Sequence, residues 1–210
     1  MGGTLNLHPQ AGMKIANPKA KALEVTVAGV VPKAIMDKVG PDINIRYGAG
    51  AGNAGSWNVH TNTINMAKGL NDREFQSTGL HEYGHAIQDR CAGVRQLDTA
   101  FSHRRIRGGE QGAGTEQSHT GAFWRTKPIQ PYDRAGNSLV QRYRDSFQRD
   151  YTGKTYRGLI NGRNPVFPHD VFSTTEVLTT GLQDLLGKGM KGGGTDRDLL
   201  AHTVGILLTA

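Results

Sequence analysis

Two histidines four residues apart, His81 and His85, constrain this 210-residue chain more than any other feature of its sequence. Positions i and i+4 lie on the same face of an α-helix, one turn apart, so both imidazoles can reach one metal ion. Glu82 follows the first histidine and is rotated by about a quarter turn, from where its carboxylate can reach a water at the same metal. The H-E-x-x-H pattern therefore predicts a helix with two metal ligands and a general base.

The flanking residues predict where this helix begins and ends. Asn71 is a suitable N-cap with Glu74 as its capping-box partner, and Gly93 can end the helix. Gly79 and Gly84 inside the helix predict tight packing against neighbouring elements. Apolar residues cluster on one side of the helical wheel, away from both histidines: Leu80, Tyr83, Ile87 and Cys91. The histidines are therefore expected to face away from the helix's apolar side.

The stretch from His81 to His85 resembles the active-site helix of the zincin metallopeptidases. Before it, residues 57–59 and 63–66 alternate in polarity and predict two short strands around a turn. Zincins place an edge strand there, where an extended peptide substrate can pair with it. The resemblance covers residues 57–92 and implies zinc as the cofactor, a peptide or protein as the substrate, and Glu82 as the general base.

The resemblance also implies a third metal ligand, which two zincin branches place differently. In one branch it lies six residues after the second histidine, where this chain has Cys91, which we interpret as a small buried residue. In the other branch a glutamate on a later helix supplies it. Glu176 lies near the start of the predicted helix 173–187 and faces away from that helix's leucine stripe, so we predict that Glu176 is the third ligand.

Alternatives to this ligand set remain open. Ser173 and Glu176 also have the spacing of a capping box, which would explain the glutamate without a metal. His103 and His119 are alternative ligands. Thr180 stands where the Glu-type family usually has an acidic residue, so a carboxylate that would orient a histidine ligand is missing from that position.

A peptidase also needs a hydrogen-bond donor for the oxyanion that develops during attack on the peptide. His169, seven residues before Glu176, is the donor that we select. Tyr151, Tyr156 and the arginines of the stretch SHRRIR are alternatives that the sequence does not separate.

The resemblance and the order of predicted elements together imply an α+β fold: a single zincin-like domain in which a small twisted sheet packs on the H-E-x-x-H helix, with further helices towards the C-terminus. Residues 1–20 lack periodicity and predict a flexible arm, so the domain is expected to cover residues 21–210. The predicted helices span residues 32–38, 97–107, 137–151, 173–187 and 195–208, and residues 42–48 predict a strand.

Positive charge is concentrated in the middle of the chain. Residues 86–165 have 14 basic and 7 acidic side chains, and twelve of these cations are arginine, in a chain of net charge +7. We interpret this segment as a solvated, arginine-rich surface. Contact with nucleic acid is the less favoured alternative, because no nucleic-acid-binding motif accompanies the arginines.

The single cysteine excludes an intrachain disulfide and favours a reducing compartment or a virus particle. The N-terminus lacks the basic and apolar regions of a signal peptide, and no apolar run approaches the roughly 18 residues of a membrane helix. We therefore expect a cytoplasmic or virion-associated protein without membrane contact.

The sequence is also similar to zincin-like domains encoded among bacteriophage and prophage structural genes. That similarity rests on the distance between the H-E-x-x-H pattern and the later helix TTEVLTTGLQDLL, in a chain without a signal peptide. It implies an alternative function, a structural protein of the virion that binds other virion proteins and has weak or no peptidase activity.

Overall fold

A computed structural model describes residues 8–9, 18–48, 55–107, 118–120, 123–125, 138–142, 154–158, 174–187 and 196–210, with side chains for 18–48, 55–102, 104, 176–187 and 196–210. In these ranges the helices are α1 (Pro18–Val30), α2 (Lys33–Val39), α3 (Asp72–Arg90), α4 (Val94–Arg107), α5 (Val177–Gly187) and α6 (Arg197–Thr209). The strands are β1 (His8–Pro9), β2 (Asn44–Tyr47), β3 (Gly55–Asn58), β4 (Thr63–Met66), β5 (Ser118–Thr120), β6 (Phe123–Arg125), β7 (Ser138–Arg142), β8 (Lys154–Gly158) and β9 (Thr174–Thr175). The predicted α+β class is confirmed.

Four strands form a mixed sheet in the order β1-β2-β4-β3. β2 pairs in parallel with β1 and with β4, whereas β3 pairs antiparallel with β4, so that Trp57 lies opposite Ile64. Within the described residues β3 is therefore an edge strand. The prediction of β4 is confirmed residue for residue, and β3 begins two residues earlier than predicted, at Gly55.

Helix α3 packs against this sheet and against α1 and α5. Its predicted capping box is confirmed: the Asn71 side chain accepts a 3.0 Å hydrogen bond from the Glu74 backbone N–H, and the Glu74 carboxylate accepts one of 2.9 Å from the Asn71 N–H. Cys91, directly after the helix, is buried as predicted. The largest apolar side chains of α3 lie in the main hydrophobic core: Phe75, Leu80, Tyr83 and Ile87.

Two glycines of α3 allow neighbouring helices to approach closely. A Cβ on Gly84 would lie 2.9 Å from Thr179 Cγ2 and 3.1 Å from Thr179 Cα in α5. A Cβ on Gly79 would lie 2.3 Å from Leu23 Cδ2 in α1. The tight packing predicted from these glycines is confirmed, and at Gly84 it brings the first turn of α5 onto the middle of α3.

Most predicted helices form with shifted ends. Residues 32–38, 97–107 and 195–208 correspond to α2, α4 and α6, while the predicted helix 173–187 begins only at Val177, after β9. Among the described residues, no helix combines the length and the hydropathy needed to cross a membrane.

Two parts of the described fold differ from the prediction. The sequence does not predict α1, whose centre is the run Val25-Thr26-Val27, because β-branched residues have low helix propensity. Burial of Leu23 and Val27 in the core stabilises this helix instead. The helix predicted at 137–151 is wrong over residues 138–142, which form β7 and pair antiparallel with β8, because strand pairing overrides local propensity. Residues 143–151 lie outside the described residues.

We expect Gly84→Ala to destabilise the protein by about 1–3 kcal/mol, because the new methyl group must push the α5 backbone away from α3. Gly205→Ala is the matched control, since it also replaces a helical glycine but its Cβ would meet nothing within 4 Å. That control should be neutral or stabilising by up to about 1 kcal/mol. Chemical denaturation followed by circular dichroism measures both changes, and equal stabilities would contradict the close approach.

Candidate metal centre

Side chains from α3 and from the start of α5 meet at one buried point. His81 and His85 lie on successive turns of α3, with ring centroids 5.1 Å apart and ring planes at 86°. Glu176 directly precedes α5, and its backbone carbonyl accepts the N–H of Thr180. Glu176 Oε2 lies 3.0 Å from His81 Nε2 and 3.5 Å from His85 Nε2. The structure thus brings together the three residues that were predicted as metal ligands.

The geometry of this group fits a metal ion. One ligand atom from each of His81, His85 and Glu176 lies within 4.8 Å of the other two. Around a tetrahedral zinc ion with bonds near 2.0–2.1 Å, neighbouring ligand atoms are about 3.3 Å apart, a value between the two distances measured to Glu176. Glu176 Oε1 is buried and has no hydrogen-bond partner among the described residues. A cation held between the three side chains would satisfy this oxygen.

The electrostatics of the group couple Glu176 to the two histidines. Burial alone would raise the pKa of Glu176, but hydrogen bonds with His81 and His85 hold it well below its usual value. Burial alone would lower the pKa of His85, but the hydrogen bond and the charge of Glu176 raise it to about 9. At neutral pH the metal-free group therefore keeps a proton on His85 that offsets the buried carboxylate.

Glu82 lies beside this group and beneath the edge strand β3. A Cβ on Gly55 would lie 3.0 Å from Glu82 Cγ, and the Trp57 backbone lies close enough to lower the pKa of the Glu82 carboxyl. The Glu82 side chain is buried, and burial raises the pKa of its carboxyl, with the charges of the two neighbouring histidines opposing that rise. A carboxylate with a raised pKa is a stronger base at neutral pH.

The indole of Trp57 attaches β3 to the second half of α3. Its Nε1–H donates a 2.6 Å hydrogen bond to Asp89, which also forms an ion pair with Arg95. The guanidinium of Arg90 lies 5.8 Å from the centroid of the indole. These contacts hold the edge strand in place above Glu82.

Several predicted site residues lie wholly or partly outside the described residues. His169, Tyr151 and Ser173 lie outside the described residues, so the oxyanion donor and the alternative capping box stay predictions. The backbones of His103, His119 and Tyr156 lie in α4, β5 and β8, but their side chains lie outside the description.

One partner of a histidine was not predicted from the sequence. Thr180 is buried and its hydroxyl has no hydrogen-bond partner among the described residues, so this position supplies no orienting group to a histidine. Gln88 does so instead, since its Oε1 lies 3.1 Å from His85 Nδ1. The spacing of these residues, three apart on one helix, could have predicted this contact.

No protein-family model matches the chain, and no curated protein or solved structure is significantly similar to it. The interpretation of the site therefore rests on the geometry and chemistry of these residues.

We expect the purified protein to bind about one zinc ion per chain, because three donors converge on one point. The double variant His81→Ala/His85→Ala should lose most of this zinc, and Glu176→Gln should weaken its binding by removing the charged ligand. His60→Ala is the control, since His60 is exposed and outside the group. Mass spectrometry of dialysed protein measures the zinc content, and unchanged zinc in the double variant would contradict the site.

Zinc binding should also release about one proton at neutral pH, because His85, with a pKa of about 9, must lose its proton before Nε2 can bind a metal. Below that pKa the apparent affinity should rise about tenfold per pH unit, and above it this dependence should level off. Calorimetric titrations in buffers of different ionisation enthalpy count the released proton. Binding without proton release would contradict the strong coupling between His85 and Glu176.

Proposed function

We propose that this protein is a zinc-dependent peptidase of the zincin type, in which His81, His85 and Glu176 hold the metal and Glu82 is the general base. The observation that carries the proposal is the approach of Glu176 to both histidines from a position far away in sequence, directly before α5. Two imidazoles and one carboxylate leave the fourth position of a tetrahedral zinc ion open, which is the ligand arrangement of catalytic zinc sites.

Glu82 has the properties that the proposed reaction requires of a base. A zinc ion bound to the three ligands would supply Lewis acidity, which lowers the pKa of a coordinated water to about 7. Glu82 accepts the proton of the attacking water and passes it to the nitrogen of the leaving amine. Its burial and raised pKa favour both transfers, because a carboxyl that titrates nearer neutrality accepts and releases a proton more readily.

The edge strand β3 supports a peptide as the substrate. One side of β3 pairs with β4, and no strand among the described residues pairs with its other side. An extended peptide can pair with such an edge through backbone hydrogen bonds. Since a Cβ on Gly55 in β3 would lie 3.0 Å from Glu82 Cγ, a peptide on this edge would lie near the base. This placement favours extended segments of proteins over small amides.

Glu82→Gln tests the proposal most directly, because Glu82 is not a proposed ligand. The variant should fold and bind zinc as the parent does, while its rate of peptide cleavage should fall by about a hundredfold to ten-thousandfold. Glu74→Gln is the matched control, since it makes the same change on the same helix at an exposed cap where glutamine also serves. Mass spectrometry of a diverse peptide library measures cleavage.

The two outcomes that contradict the proposal differ in meaning. Equal cleavage by the parent and by Glu82→Gln would exclude Glu82 as the base. A zinc-loaded parent that cleaves no peptide in the library would exclude the peptidase. That second result would favour the alternative of a structural virion domain. In that case the parent and Glu82→Gln should bind other virion proteins equally well.

A further inference from the structure

Hydrogen bonds continue behind His85 through three more side chains on three helices. Gln88 Oε1 lies 3.1 Å from His85 Nδ1, and Gln88 Nε2 donates a 2.6 Å hydrogen bond to Asp98 Oδ2 in α4. The other oxygen of Asp98 lies 2.8 Å from His202 Nε2 in α6. We refer to Gln88, Asp98 and His202 together as the orienting chain.

The direction of the hydrogen bonds in this chain follows from the chemistry of Asp98. A carboxylate only accepts hydrogen bonds, so Gln88 must direct its NH2 group towards Asp98. The carbonyl oxygen of Gln88 then faces His85, and since a carbonyl oxygen also only accepts, His85 Nδ1 must carry a proton. Nε2 is thereby left as the ring nitrogen that faces Glu176 and can bind a metal.

Burial makes this direction costly to reverse. Asp98 is 0 % exposed and Gln88 is 3 % exposed. A reversed Gln88 amide would set its carbonyl oxygen against the Asp98 carboxylate. Two acceptors facing each other away from water would leave both of them unsatisfied.

His202 holds the far end of the orienting chain. Its ring stacks on Phe101 of α4, with centroids 4.2 Å apart and planes at 23°, and its side chain is largely buried. His202 therefore fixes one oxygen of Asp98 while Gln88 engages the other. The orientation of His85 in α3 consequently depends on how α4 and α6 pack against each other.

We propose that Asp98 is a positioning residue for the metal centre, acting through Gln88 to hold His85 with Nδ1 protonated and Nε2 directed at the metal. This inference rests on the proposed metal centre. In this role Asp98 and Gln88 orient a histidine ligand, which Thr180 does not do. This positioning role differs from the ligand roles of His81, His85 and Glu176, because Asp98 contacts none of the reacting groups.

Exchanging the carboxylate and the amide tests the direction of the hydrogen bonds. Asp98→Asn keeps the shape of the side chain but removes the obligatory acceptor, so Gln88 can turn either way and zinc affinity should fall by about 10–100-fold. In the double variant Gln88→Glu/Asp98→Asn, the introduced glutamate accepts from both His85 Nδ1–H and the introduced amide, whose carbonyl accepts from His202. All donors and acceptors are matched again, and the double variant should regain most of the lost affinity.

Asp89→Asn is the matched control for these measurements. It makes the same substitution on a carboxylate of α3 that accepts hydrogen bonds from Trp57 and Arg95 instead of from Gln88. Its zinc affinity should equal that of the parent. A loss of affinity in Asp89→Asn as large as that in Asp98→Asn would show a general effect of removing charge and would overturn the positioning role.

Heteronuclear NMR of the metal-free protein at a pH above the His85 pKa of about 9, where the ring carries a single proton, decides the inference without zinc. The parent and the double variant should show a His85 Nδ1–H signal protected from exchange with water, and Asp98→Asn should lose that protection. If Asp98→Asn does not fold, Gln88→Met, which removes the acceptor from His85, should lose the protection in the same way.

The outcomes separate this inference from the proposed function. A parent in which His85 lacks a protected Nδ1–H, or a double variant that binds zinc no better than Asp98→Asn, would overturn the role of Asp98. A parent that has the protected Nδ1–H and loses it in Asp98→Asn, but does not bind zinc, would refute the metal centre while showing that Asp98 orients His85.

Discussion

The buried carboxylate of Glu176 between two histidines is the interaction on which the described site depends. A buried negative charge needs close partners, and α3 supplies them on two successive turns at His81 and His85. The contact forms because α5 lies directly on α3, where a Cβ at Gly84 would lie 2.9 Å from Thr179 Cγ2 and 3.1 Å from Thr179 Cα. Helix packing therefore decides the electrostatics of the site, because moving α5 away from α3 would separate the carboxylate from both histidines.

The surroundings of this pair hold each group in a defined state. In the metal-free site the proton on His85 offsets the charge of Glu176, so the buried group is compensated before any metal binds. A bound cation would replace that proton. On one side the edge strand β3 covers Glu82, and on the other Gln88 and Asp98 set the orientation of the His85 ring. The proposed catalytic groups thus lie on rigid helices with their side chains held by hydrogen bonds.

The sequence determined the features whose signals are local. Helix α3 begins at a capping box between Asn71 and Glu74, three residues apart, and the spacing of its two histidines places them on one face. Short alternating segments predicted β2 and β4 for the same reason, since neighbouring residues alone set the pattern. Resemblance to a family selected Glu176. Local signals failed at α1 and β7, where the packing of Leu23 and the pairing of β7 with β8 outweigh intrinsic propensity.

Only the tertiary structure decided which distant residues meet. No local pattern in the sequence shows that the residue before α5 reaches both histidines of α3. The family resemblance implied this contact, and its formation depends on how closely two helices pack. The orienting chain also depends on tertiary packing. The contact of Gln88 with His85 could have been predicted from their spacing on one helix, but Asp98 and His202 come from α4 and α6. Local periodicity reports which face of a helix is buried. It does not report which helix covers that face, since that choice is made by shape complementarity and by the pairing of buried charges across the core.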